Sequence, residues 1–144
     1  GVGVETMVLP EELSWVIVEG TSLDIEGPPG TAGARSEIHF QLNIDQHGTS
    51  PATLICDFPD TGSATVPAAM IDGLRGAGVT GWPAASLSRR TVDNVTLSDG
   101  TGCVEFTVAS PRNVDVTVSG YIPCNQQNPC PDGLTCNQAI ELCE

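Results

Sequence analysis

The feature that most constrains this chain is a strict two-residue alternation. In Glu37-Ile38-His39-Phe40-Gln41-Leu42-Asn43-Ile44 every even position is apolar and every odd one polar. Successive side chains of a β-strand point to opposite faces, so this pattern specifies a strand with one buried and one solvated side. The pattern recurs at Val104, Phe106 and Val108, and again at Val114, Val116 and Val118, with Asn94-Val95-Thr96-Leu97 as a shorter instance. Asp99-Gly100 between two alternating runs predicts a hairpin. With Pro111-Arg112-Asn113 read as a second turn, residues 92–120 are expected to form a three-stranded antiparallel meander.

Further strands are expected upstream. Leu13–Val18 is apolar on both faces and predicts a central or doubly covered strand. Ala52–Phe58 closes at Pro59, and Ser63–Val66 and Ala84–Arg89 are shorter candidates. Pro67-Ala68-Ala69-Met70-Ile71-Asp72-Gly73-Leu74 breaks the alternation with helix formers behind a proline, predicting one or two helical turns that cross between sheets. Gly27–Gly33 reads as a loop. Seven or eight short strands at this spacing predict an all-β fold, an immunoglobulin-like antiparallel β-sandwich over residues 1–120. The 144 residues suffice for one such core and a small appendage, and 27 Gly and Pro residues fit its many turns.

Residues 121–144 form that appendage. Cys124, Cys130, Cys136 and Cys143 follow the spacing C-x5-C-x5-C-x6-C among almost no core formers. A segment this short folds when bridges replace the missing core. Zinc sites favour C-x2-4-C pairs, which are absent here, so two disulfides and no metal are expected. The interlaced order Cys124–Cys136 and Cys130–Cys143 makes a compact knot, with a nested order as the alternative. Elimination then pairs Cys56 with Cys103, worth on the order of 4 kcal/mol in the loop-entropy account. A difficulty attends that third bridge, because Cys56 lies on an apolar face with Leu54 and Phe58 while Cys103 alternates with Glu105. It is resolved if Cys103, directly after Gly102, precedes the regular strand. Six cysteines in a small chain imply an oxidising, extracytoplasmic compartment. The chain begins at Gly1, and a targeting segment is expected to have preceded it. No apolar run approaches membrane-spanning length.

Charge excludes some partners. Five Arg and no Lys stand against 18 Asp and Glu, a formal net charge of −13. Such a chain repels nucleic acid and anionic lipid. The acidity favours solubility, and no calcium-loop spacing accompanies it.

The motifs that suggest chemistry are weak. Asp60-Thr61-Gly62-Ser63 spells the aspartic-protease tetrapeptide, but that chemistry needs a second carboxylate and no second copy exists. A tight turn is the expected reading, with Asp60 replaceable by Asn. Gly76-Ala77-Gly78-Val79-Thr80-Gly81 matches the dinucleotide glycine pattern but follows a helical turn rather than a strand, so no cofactor is expected. His39 and His47 read as solvated, and no nucleophile-elbow motif supports a triad on His39. Asn94-Val95-Thr96 is a glycosylation sequon whose meaning depends on the source. Trp15, Trp82 and Tyr121 are too scattered to predict a sugar platform.

The tail, with its centre Pro129-Cys130-Pro131-Asp132-Gly133-Leu134-Thr135-Cys136, resembles short cysteine-rich modules of secreted proteins, EGF-like or colipase-like. The stretch Cys56–Ala68, including Val66-Pro67-Ala68, followed by Ser86-Leu87-Ser88-Arg89-Arg90, is similar to uncharacterised bacterial surface lipoproteins with a β-sandwich and such a tail. That resemblance implies secretion or surface display and supplies no catalytic residues. The sequence thus predicts a non-catalytic binding or structural accessory module with a protein or glycan partner at the cell surface. Two rivals stand beside it: a small hydrolase using carboxylates near Asp57 and Asp60, and an inhibitor presenting Pro131-Asp132-Gly133-Leu134.

Overall fold

Phe40 and Leu42, on the apolar face of the first clean alternation, are fully buried, and the sheet is built around them. The computed structural model describes residues 14–30, 35–47 and 52–144. Its strands are β1 (Ser14–Ile17), β2 (Leu23–Glu26), β3 (Ser36–Asn43), β4 (Thr53–Pro59), β5 (Ser63–Val66), β6 (Ala84–Thr96), β7 (Cys103–Val118), β8 (Cys136–Asn137) and β9 (Leu142–Cys143), with one helix, α1 (Ala68–Ala77), between β5 and β6. Five strands form a curled mixed sheet in the order β1-β7-β6-β3-β4. The β3, β4, β6 and β7 contacts are antiparallel, whereas β1 runs parallel to the end of β7, Ser14 opposite Asp115 and Ile17 opposite Val118. A separate ribbon pairs β2 with β5.

The core lies between these layers. Ile17, Phe40, Leu42, Leu87, Val114, Val116 and Val118 come from the large sheet, Leu23, Ile25 and Val66 from the ribbon, and Ile71 and Leu74 from α1. Ile71 and Leu74 are three residues apart, so one helix face supplies both. Trp15 stacks against Phe40 at 5.5 Å between ring centroids. The all-β expectation therefore holds.

Several finer expectations do not. Residues 92–120 make two strands, not three, because β7 runs straight through Pro111-Arg112-Asn113. The reason lies in hydrogen-bond phase. Leu97 N–H donates to Gly102 O at 2.9 Å, so even-numbered residues of β7 bond to β6 and odd-numbered ones point away. Ser119 N–H, bonded to Ile17 O at 2.9 Å, confirms that the odd set faces the β1 side. Pro111 thus lacks its N–H on the side away from β6, where no described strand pairs with it and a strand tolerates proline. The segment read as a central strand is the edge strand β1, with Val16 60 % exposed. The helix is longer than expected at 10 residues, with Pro67 as its N-cap. The ribbon strand β2 lacked enough alternating positions to be anticipated.

Both disulfides lie within the tail. Cys124 is bonded to Cys136 and Cys130 to Cys143, the interlaced order. Cys124 and Leu142 are buried among them, and β8 pairs with β9. The tail meets the sheet domain through His47 Nε2 and Glu141 Oε2 at 2.7 Å and through Gly81 N–H donating to Ile140 O at 2.7 Å. Gly81 has φ +63°, and a Cβ there would lie 2.8 Å from the His47 ring. Only glycine fits that approach.

Candidate functional site

The candidate carboxylates Asp57 and Asp60 have different partners, one on β4 and one just past its end. Asp57 in β4 stands opposite His39 in β3, and His39 stands opposite Ser88 in β6. Asp57 Oδ1 and His39 Nδ1 are 2.6 Å apart, so His39 is paired on a face where it was expected to be solvated. Asp60 lies past the end of β4 and turns toward the other face. Its Oδ2 accepts from Ser36 Oγ at 2.8 Å and meets Arg89 Nε at 2.7 Å, while Oδ1 accepts from Arg89 NH2 at 2.9 Å. Asp60 is 2 % exposed in its side chain. Arg89 also donates to Pro28 O, so the pair clamps the β2–β3 connection to the sheet. These contacts line a half-open cleft between ribbon and sheet, bounded by Ile25, Pro28, Ile38, Ala64 and Leu87.

This arrangement gives each carboxylate a structural partner and brings no two of them together. A proton-sharing acid pair requires two carboxyls at one site. The two contacts from the Arg89 guanidinium to Asp60 fix both side chains in place, as a clamp does. The Asp57–His39–Ser88 row has the residue types of a nucleophilic triad, yet it sits in mid-sheet. There β3 and β6 are each paired on both sides, and Ser88 is buried.

The third disulfide expected from the sequence is not formed: Cys56 and Cys103 are free thiols. Cys56 stands opposite Phe40, and Phe40 opposite Leu87, which stands opposite Arg112. Cys103 is therefore three strands away and nine residues further along, about 30 Å in strand rise. Bridged cysteines need Cα atoms within about 7 Å. The face conflict between Cys56 and Cys103 was real, since Cys103 belongs to the regular strand, opposite Thr96. Burial pushes the Cys56 thiol up, and the adjacent Asp57 carboxylate adds to the shift. Cys103 is exposed. The sulfurs of Cys124, Cys130 and Cys143 lie within 4.8 Å of one another, but each is already in a disulfide. They are not a metal centre.

A surface feature that residue typing missed is the β6–β7 arm. Among the described residues, β6 pairs with β3 as far as Thr91, with Val92 N–H reaching Arg35 O, and β1 pairs with β7 at 115–118. Beyond these limits β6 and β7 continue as a two-stranded ribbon, turning at Asp99-Gly100, where Gly100 has φ +71°. Thr101 donates from its hydroxyl and its backbone N–H to Asp99, which holds that carboxyl below its ordinary range. Val95, Val104, Phe106 and Val108 share the face that continues the core face, and they are 55, 40, 52 and 70 % exposed. The alternation was legible, but alternation cannot say whether a second layer covers the apolar side.

The remaining candidates are dispersed. Pro131–Leu134 is a turn closed by Leu134 N–H to Pro131 O at 3.1 Å, with Leu134 exposed. Trp15 is in the core region, which leaves Trp82 and Tyr121 as partly exposed aromatics. No helix among the described residues is long and apolar enough to cross a membrane. The two disulfides are the chemistry of an oxidising, extracytoplasmic environment. No protein family, curated protein or solved structure matches the chain.

Proposed function

We propose that this chain is a secreted or surface-displayed binding or accessory module that recognises a protein partner through the β6–β7 arm and carries out no catalysis. The observation that carries the reading is the arm's apolar face, Val95, Val104, Phe106 and Val108, left open among the described residues. Exposed contiguous apolar surface on a soluble domain marks an interaction site. Asp60 and Asp57, the residues a hydrolase would need, are engaged by Arg89 and His39, which favours the accessory reading over the enzyme. The dispersed aromatics favour a protein over a glycan.

An immunoglobulin-like sandwich is the fold we assign to this module. The support is strand order: β7-β6-β3-β4 in one sheet and β2-β5 in the other parallel the G-F-C-C′ and B-E arrangement of variable-type domains. Surface anchoring of lipoprotein type rests on the tail's resemblance, and the precursor's leader sequence tests it.

Photo-crosslinking in the producing cell tests the function. A benzoylphenylalanine at position 106 is expected to capture a discrete protein, while one at position 55, exposed on the sheet's opposite face, captures none. Equal capture from both positions, or hydrolytic activity lost in His39→Ala or Asp60→Asn, overturns the reading.

A further inference from the structure

From the open edge of β7 we infer that the arm binds an extended segment of a partner protein by strand addition, and that this segment alternates apolar with basic residues. The inference deepens the binding-module reading and rests on it. The hydrogen-bond phase established by Leu97 and Gly102 turns the N–H and C=O groups of Cys103, Glu105, Thr107 and Ala109 away from β6. No described residue pairs with them, the described part of β1 lying opposite Asp115–Val118. Four consecutive outward residues present a ladder long enough to receive one strand. Pro111 interrupts it on the body side, so the receptive stretch lies within the arm.

Side chains then select the occupant. A strand added to this edge continues the sheet, placing one set of its side chains beside Val104, Phe106 and Val108 and the other beside Cys103, Glu105 and Thr107. The first set is therefore apolar. The second faces Glu105, while Asp93 stands opposite Phe106 on the first face and Asp99 lies at the turn; residues 92–108 carry these three acids and no basic residue. Like charges opposed across a strand pair are destabilising, so the second set is basic. The same argument disfavours a second copy of this chain, whose arm repeats those three acids and whose net charge is −13. It also disfavours residues 1–13, which hold Glu5, Glu11 and Glu12 and no basic residue.

Fluorescein-labelled decapeptides are the probes: alternating Lys-Val, alternating Glu-Val, and a block peptide of the Lys-Val composition. Anisotropy with the full chain is expected to show the alternating Lys-Val peptide binding about tenfold more tightly than either of the others. Thr107→Pro removes one outward N–H while sparing the bonds to β6, and is expected to weaken binding about tenfold, with Thr107→Ser unchanged. Ala109→Pro serves the same purpose if Thr107→Pro does not fold. Equal binding of the block peptide reduces the effect to bulk charge and overturns the proposal, as does full binding by a folded proline variant. Dimerisation lost in Thr107→Pro assigns the edge to a second copy, and probe binding that appears only after deletion of residues 1–13 assigns it to the chain itself. Either result also overturns it. Capture from position 106 with no peptide preference would leave the binding module standing and remove strand addition.

Discussion

Replacing Asp60 by Asn tests whether the tetrapeptide aspartate is a turn residue or the anchor of the cleft. The side chain is 2 % exposed and accepts from Arg89 and Ser36, while Arg89 is 21 % exposed. Removing one member of a buried ion pair leaves the other charge uncompensated, at about 3–5 kcal/mol. Arg89's access to water, and an amide that still accepts one hydrogen bond, place Asp60→Asn at the low end, about 3 kcal/mol. For a chain of this size that corresponds to a fall in Tm of about 6–12 °C. Urea unfolding followed by tryptophan fluorescence reads the loss directly. The double variant Asp60→Asn/Arg89→Met is expected to recover part of it, because a matched apolar replacement leaves no orphaned charge. A coupling below about 0.5 kcal/mol in the double-mutant cycle would refute the clamp. The expectation from sequence, that Asn is harmless here, would then stand.

Four further outcomes follow from the geometry. In the folded protein without reductant, Cys103 is expected to react with iodoacetamide readily and Cys56 slowly, with the other four cysteines inert, as read by peptide mass spectrometry. Burial raises the Cys56 thiol, so the folded state holds that proton more tightly than the unfolded chain. Its contribution to stability is present below the unfolded thiol value of about 8.5 and fades as pH rises through the folded one, and Cys56→Ser should lessen that alkaline loss. Truncation after Pro123 should leave a cooperatively folding β domain, because the bonds from His47 and Gly81 to the tail are polar and few; an unfolded product would show the tail to be part of the main core. Phe40→Ala should cost about 3–5 kcal/mol in urea unfolding, since its ring is fully buried against Trp15.

Much of the sheet was legible because period-two alternation reports a local property, the facing of side chains. Ile38, Phe40 and Leu42 could be placed on a buried face from their own neighbours, and cysteine spacing pointed to two tail bridges, the interlaced order being chosen over a nested one for its compactness. What failed depended on partners distant in sequence. Pro111 would end a strand whose N–H groups it had to supply to a neighbour, but its N–H side faces away from β6, which depends on the phase of the β6–β7 ladder. Cys56 and Cys103 were joined by counting, while their separation is fixed by the register of three intervening ladders. Asp60 looked like turn chemistry because Arg89, the residue that gives it another role, lies 29 positions away. The arm was read as strands correctly, and its exposure is a fact about the ribbon that fails to reach it.

The parallel contact between β1 and β7 bears on mechanical load. Tension applied ahead of Ser14 and beyond Val118 pulls these two strands in opposite directions along their own axes. Their hydrogen bonds lie across that direction, so they are strained together in shear, whereas a hairpin opened from its end parts one bond at a time. For a protein held at one end and gripped at the other, this short patch is the element that sets how hard the domain can be pulled before it opens.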